Sequence, residues 1–264
     1  MTDTTQQNTV DTLLHCRYLI PVIPENTVLE HHSIAIANGN IIGILPRTDA
    51  EKRYANVNAV ELGEHIVLPG LINMHGHAAM SLLRSYANDL ALMDWLNNHI
   101  WPAEARWVSD AFVYDGTSLA IGEMIRSGTT CFSDMYFFPE AAARAALDAG
   151  VRCQLSFPIF EFPSNWGSGP QEYLEKGLAL LDLYRGSPRV KMAFGPHAPY
   201  TVGDASLQKV VMLAEELDAN IQIHLHETAF EVDSAVKETG VRPVERLHRI
   251  GLLTPRTKCV HMTA

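Results

Sequence analysis

The sequence predicts an α/β fold, a parallel barrel preceded by a small β domain, and two observations carry the prediction. From about residue 66 onward, apolar strand-like runs alternate with helix-like segments, the rhythm of βα units and a parallel sheet. Before that point, residues 13–67 hold short runs rich in Ile, Val and Leu, broken by turn signals.

Taken in order, MTDTTQQNTVDT (1–12) is a polar tail with no apolar signal core. LLHCRYLIPVI, HSIAIANGNIIGIL and NAVELGEHIVL read as strands, with Asn38-Gly39-Asn40 as a turn, and make 13–67 the N-terminal part of a small β-sandwich domain. The barrel segment, 68–264, follows through Pro69-Gly70. Its strands are expected at IVLPGLINMH (66–75), TTCFSDM (129–135), VRCQLSF (151–157), VKMAFGP (190–196), NIQIHLHE (220–227) and TKCVHM (257–262). Between them, DAFVYDGTSLAIGEMIRSG and PEAAARAALDAG are helical patterns that end at Gly128 and Gly150, as helix C-caps do. Six βα units are present where a closed (β/α)8 TIM barrel has eight, so these residues are expected to be part of a longer protein.

Composition bounds the function. Among 264 residues, 20 Lys and Arg stand against 30 Asp and Glu, and the formal charge of −10 argues against a nucleic-acid partner. With 47% hydrophobic and 19% charged residues the chain can fill a sizeable core. No apolar run reaches the roughly 18 residues of a membrane span, which makes the cytoplasm the expected compartment. Cys16, Cys131, Cys153 and Cys259 show no paired framework and read as buried free thiols.

The chemistry concentrates in histidines at expected strand ends. In His75-Gly76-His77, side chains two apart on an extended chain point the same way and can reach one metal. His224 and His226 end the fifth barrel strand, His197 follows the fourth and His261 ends the sixth. A barrel gathers strand ends, so His75, His77 and His224 can converge on one ion. Imidazole donors point to zinc, with iron or manganese as alternatives, and three protein ligands with an open position describe a catalytic site that activates water. Glu227, three residues after His224, is placed to act as general acid and base. HExxH, PCxxC, GxSxG and GxxxxGK[ST] are all missing from the sequence, which leaves hydrolysis by activated water.

LPGLINMHGHAAMSLLRSYANDLALMDWL, SGTTCFSDMYF, FGPHAPYTV, IHLHET and CVHM, in this order, resemble the amidohydrolase superfamily. Within it they are similar to the 5′-methylthioadenosine/S-adenosylhomocysteine deaminases. The resemblance implies a metal-dependent hydrolase barrel that deaminates an adenine nucleoside, with His75, His77 and His224 on the metal. It further implies that Glu227 protonates the ring nitrogen beside the attacked carbon and that His261 orients the water. Trp95, Glu104 and His197 match positions that contact substrate, Glu104 accepting hydrogen bonds from the ribose. The partner is then a small nucleoside, with no nucleic acid and no membrane, and a homo-oligomer (dimer or tetramer) is expected. His226, beside the ligand candidate His224, reads as a second-layer or packing residue.

Two departures bear on the expected substrate and site. Where family members offer an arginine to the S-adenosylhomocysteine carboxylate, this chain has LSFPIFEF, so Phe157 and Glu161 favour 5′-methylthioadenosine, with S-adenosylhomocysteine or adenosine as other candidates. The family also completes its site with an Asp from the eighth strand, which is expected beyond Ala264. The rival readings are a related hydrolase acting on guanine-like bases or triazines, and a non-catalytic metal-binding barrel.

Overall fold

The structure, a computed structural model, describes residues 10–264; of the tail, 1–9 lie outside the described residues. The chain divides into two compact units between Gly70 and Leu71.

The first unit is a four-stranded sheet of order β3-β2-β1-β4, built from β1 (Thr12–Leu19), β2 (Leu29–Ala37), β3 (Asn40–Pro46) and β4 (Ala59–Val67), with helix α1 (Arg47–Arg53). β1 pairs antiparallel with β2 and parallel with β4. The β2–β3 hairpin closes at Ala37↔Asn40, leaving Asn38 and Gly39 with φ of +50° and +73°. Two positive φ values in a two-residue loop are what Asn-Gly supplies at little steric cost.

The second unit holds a curled parallel sheet of six strands in sequence order, a half barrel: β5 (Leu71–Asn73), β6 (Thr129–Met135), β7 (Arg152–Ile159), β8 (Val190–Pro196), β9 (Ile221–Leu225) and β10 (Thr257–His261). Helices α2 (Leu92–Trp95), α3 (Trp101–Trp107) and α4 (Asp110–Arg126) lie between β5 and β6. Further along come α5 (Pro139–Ala149), α6 (Pro170–Tyr184), α7 (Asp204–Glu216), α8 (Ala229–Thr239) and α9 (Pro243–Ile250). One expected strand is divided. The run 66–75 contributes Ile66 and Val67 to β4 and only Leu71–Asn73 to β5, because Pro69 has no N–H to donate to a ladder.

β9 is buried along its whole length, as expected of a parallel strand covered on both faces. Its Ile221, Ile223 and Leu225 join Phe157, Ile159, Phe194 and Leu207 in one core cluster. A second cluster, around Val113, Phe132, Ala142, Leu155 and Met192, seats α4 and α5 on the sheet. The close contact that matters for the site is at Gly116 of α4. A Cβ there would lie 2.4 Å from the Ala79 carbonyl oxygen, so only glycine lets α4 press against the short 3-10 turn Ala78–Leu83 that follows His77.

Candidate active site

The loop after β5 is tied to the end of β6. The His75 N–H donates to Asn73 Oδ1 at 3.2 Å, and the Ala78 N–H donates to Asp134 Oδ1 at 2.7 Å. Burial pushes the Asp134 carboxyl up to about 7, and the Ala78 amide pulls it back. His77 is fixed through Nδ1 on the Met135 carbonyl oxygen at 2.7 Å, and His224, on β9, through Nδ1 on the His197 carbonyl oxygen at 2.9 Å. Both rings therefore carry their proton on Nδ1 and leave Nε2 open.

The expected histidines come together. The His75 ring centroid lies 4.8 Å from that of His77, 5.0 Å from His224 and 5.6 Å from His261, and His77 and His224 are 5.3 Å apart. One ligand atom each of His75, His224 and His261 lies within 4.8 Å of the others. His261 therefore stands in the cluster itself. Burial, reinforced by the neighbouring imidazoles, holds His75 down to about 3, and it lowers His77 and His224 as well, so the rings are neutral donors. Neutral buried imidazoles with the far nitrogen anchored on a carbonyl fit a divalent transition metal; calcium or magnesium would want an oxygen cage.

His261 reaches the cluster by leaving strand geometry. Lys258 is in register with Gln222, and Val260 with His224, so alternation alone would turn His261 to the opposite face. Its φ of +80°, followed by +54° at Met262, re-aims the side chain, and its ring stacks on His224 at 5.4 Å. Strain of this kind is what functional sites retain.

Glu227 Oε1 lies 3.5 Å from His261 Nε2. It does not cap the next helix: Thr228 does, accepting the Glu231 N–H at 3.3 Å. Glu231 in turn accepts the backbone N–H groups of His226 and Glu227 at 3.0 and 2.8 Å, which fixes the turn and frees the Glu227 carboxylate. Burial raises the Glu227 carboxyl; His261 opposes this and Glu231 adds to it. His226 is buried and accepts the Val244 N–H through Nε2 at 3.3 Å, which makes it a packing residue.

Beside the cluster is a cavity of about 90 Å³ whose lining unites His77, Trp95, Glu104 and His197. Its walls are otherwise apolar, including Leu96, Ile100, Trp101, Phe137, Pro158 and Phe160. The Tyr136 hydroxyl donates to Glu104 Oε1 at 2.6 Å. Burial lifts the Glu104 carboxyl to about 7, and the Tyr136 hydrogen bond moderates the rise. His197 has Nδ1 on Thr201 Oγ1 at 2.9 Å, and burial lowers it to about 3.

Two residues stand elsewhere than the sequence suggested. Phe157 alternates toward the helices: it is fully buried, and a Cβ at Gly177 of α6 would lie 2.3 Å from its ring. The apolar wall on β7 is instead Pro158, with Phe160 just beyond the strand. Glu161 caps α7, accepting from the Gly203 N–H at 2.9 Å and the Ser206 hydroxyl at 2.7 Å, and it borders a separate cavity of about 550 Å³. Tyr136, Asp134, Ser133, Gln222 and Lys258 were not marked by the sequence. The available signal was period two, which puts Gln222 on the face of His224.

A half barrel with imidazoles gathered where its strands end defines a class of metal-site α/β barrels. The chain belongs to the amidohydrolase family, whose model matches residues 66–264. It is 52% identical, over 98% of its length, to a protein of Saccharophagus degradans named 5-methylthioadenosine/S-adenosylhomocysteine deaminase. A protein of the same name from Teredinibacter turnerae is 49% identical over the whole chain. The chain spans 58% and 59% of these relatives' own lengths. Among solved structures, an adenosine deaminase from Xanthomonas campestris with bound zinc superposes with a TM-score of 0.94 at 44% identity, covering 96% of this chain and 58% of that one. An atrazine chlorohydrolase from Arthrobacter aurescens, at 18% identity and a TM-score of 0.86 over 96% of this chain and 61% of that one, shares the fold. Among the described residues no helix is long and apolar enough to cross a membrane.

Proposed function

We propose that this protein carries out hydrolytic deamination of an adenine nucleoside, 5′-methylthioadenosine before S-adenosylhomocysteine or adenosine. The observation that carries the reading is the junction of an imidazole cluster with a largely apolar pocket whose buried carboxylate, Glu104, is held by Tyr136. The names of the relatives at 52% and 49% identity support the reaction class.

His75, His77 and His224 would hold a divalent cation, zinc in the first place and iron or manganese as alternatives; the carbonyl anchors of His77 and His224 support this set. Such a cation, when bound, lowers the pKa of a water toward neutrality. Glu227, with its raised pKa, holds a proton more readily than an ordinary carboxylate and delivers it to N1 of the purine, which makes C6 electrophilic toward water. It then relays one water proton to the amino group and takes up the other, so that ammonia leaves, a carbonyl oxygen remains on C6 and the Glu227 carboxyl is protonated again. His261, 3.5 Å away, orients the water. Glu104 accepts hydrogen bonds from the ribose hydroxyls, Trp95 packs on the nucleoside, and His197 presents Nε2 to it. The pocket lining contains no arginine or lysine among the described residues, which suits a neutral methylthio tail. A small-molecule nucleoside as partner, a cytoplasmic setting and a dimer or tetramer complete the reading.

The test is ammonia release by the intact zinc-loaded protein from 5′-methylthioadenosine, S-adenosylhomocysteine, guanine and a triazine. The expected order places 5′-methylthioadenosine first in kcat/KM. A preference for S-adenosylhomocysteine would overturn the tail argument, a preference for guanine or the triazine would overturn the nucleoside reading, and bound metal without ammonia release from any of them would leave a metal-binding barrel.

A further inference from the structure

Beneath the cluster runs a hydrogen-bonded chain from three strands. Lys258 on β10 donates through Nζ to the Met74 carbonyl oxygen at 2.6 Å and to Ser133 Oγ on β6. Ser133 Oγ donates to Gln222 Oε1 on β9 at 3.0 Å, and Gln222 Nε2 lies 3.2 Å from His75 Nδ1. Gln222 is fully buried and Ser133 nearly so. A fully buried amide is costly unless its hydrogen bonds are satisfied, and its partners here are a serine and a clustered histidine.

Donor and acceptor roles give this chain a direction. An ammonium only donates, so Ser133 Oγ accepts from Lys258 and offers its own proton to the Gln222 oxygen. The amide then faces His75 with NH2, Nδ1 must accept, and the proton of the neutral ring sits on Nε2. His77 and His224 are the opposite, with Nδ1 protonated by their carbonyl partners. Half a turn of the Gln222 amide reverses His75: the oxygen accepts from Nδ1–H, NH2 donates to Ser133 Oγ, and Nε2 becomes a free lone pair like those of its two neighbours.

We infer that Gln222, braced by Ser133 and Lys258, is a positioning residue that selects the tautomer of His75 and through it the affinity of the cluster for a divalent cation. The inference rests on the metal reading above. It predicts that Gln222→Glu, which offers an acceptor whichever way it turns, keeps zinc, whereas Gln222→Met, of similar size with no acceptor oxygen, does not fix the ring.

The experiment measures zinc affinity of the intact protein by competition with a chromophoric chelator, together with histidine 15N shifts, which distinguish Nδ1–H from Nε2–H. Gln222→Met is expected to weaken zinc by about 10- to 100-fold, as loss of a partner behind a ligand does, and Gln222→Glu to stay within about threefold of wild type. In the zinc-loaded wild type His75 is expected as Nδ1–H. Unchanged affinity in Gln222→Met, a loss of about tenfold or more in Gln222→Glu, or an Nε2–H signal for His75 would overturn the inference. Gln222→Glu and the 15N signal decide it even if Gln222→Met does not fold. A wild type that takes up no zinc would instead overturn the metal reading.

Discussion

Replacing Tyr136 by Phe deletes one hydroxyl and tests how the pocket holds its buried carboxylate. Glu104 titrates at about 7 because burial raises it, and the 2.6 Å hydrogen bond from Tyr136 pulls it down. A hydrogen bond to a charged group contributes about 1.5–3 kcal/mol, and 1.36 kcal/mol corresponds to one pKa unit, so the variant's Glu104 should titrate about 1–2 units higher. The sign follows from which form binds. On the proposed reading the ionised carboxylate would accept from the ribose hydroxyls, so affinity should fall as pH drops through the carboxyl pKa. At pH 7.4 the wild-type group is mostly ionised and the variant's mostly protonated, which raises KM for the nucleoside about tenfold, with recovery near pH 9–10. Steady-state KM from pH 6 to 10 reads this directly. In Glu104→Gln the inflection should vanish, and adding Tyr136→Phe should then move nothing further. A KM profile that is flat in wild type, or whose inflection stays put in Tyr136→Phe, refutes the argument.

Four further outcomes follow from the same geometry. Glu227→Gln should lower kcat by about 100- to 10,000-fold with little change in KM, since it removes a proton carrier and leaves the pocket intact; a large KM effect with kcat preserved would place Glu227 in binding. Gly116→Ala should destabilise the protein by about 1–3 kcal/mol in urea unfolding, because the new Cβ meets the Ala79 carbonyl at 2.4 Å, an overlap that outweighs the gain of up to ~1 kcal/mol in helix propensity. A stabilised variant would show that α4 does not brace the His77 turn. Phe157→Ala should reduce stability by about 3–5 kcal/mol while KM of the folded protein holds, and Phe160→Ala should raise KM; the reverse pattern would return Phe157 to the pocket wall. Removal of metal by a chelator should lower Tm, and zinc at about 100 times its Kd should restore about 2.7 kcal/mol; a Tm indifferent to both treatments would count against a shared cation.

The half barrel was legible because strand-like runs such as VKMAFGP and NIQIHLHE alternate with helix-like segments, and because Gly128 and Gly150 mark where α4 and α5 stop. The imidazoles were legible because histidine is otherwise rare at the end of such a run. The first barrel strand was not, since IVLPGLI is one apolar string and the break at Pro69 is set by which ladder each side joins. Phe157 misled because its neighbours in sequence, Pro158 and Phe160, do line the pocket, and a shift of one residue along a strand exchanges core for cavity.

The residues that sequence reasoning missed share a physical reason. Ser133, Gln222 and Lys258 lie on three strands separated by 36 to 125 positions, and each reads alone as an ordinary polar residue in an apolar run. Their meaning comes from register, which sets Lys258 beside Gln222, and from the burial of Ser133 and Gln222, whose polar atoms are satisfied by one another, by Lys258 and by His75. His261 is the same lesson in reverse. Its type made it conspicuous, yet strand alternation would have turned it away from the cluster, and only a backbone in the left-handed region brings its ring onto His224. Replacing Met262 by Gly would ease the second of the two positive φ values that follow one another here; if the strained turn positions His261, that substitution should raise stability while leaving the His261–Glu227 pairing, read as the pH profile of kcat, unchanged.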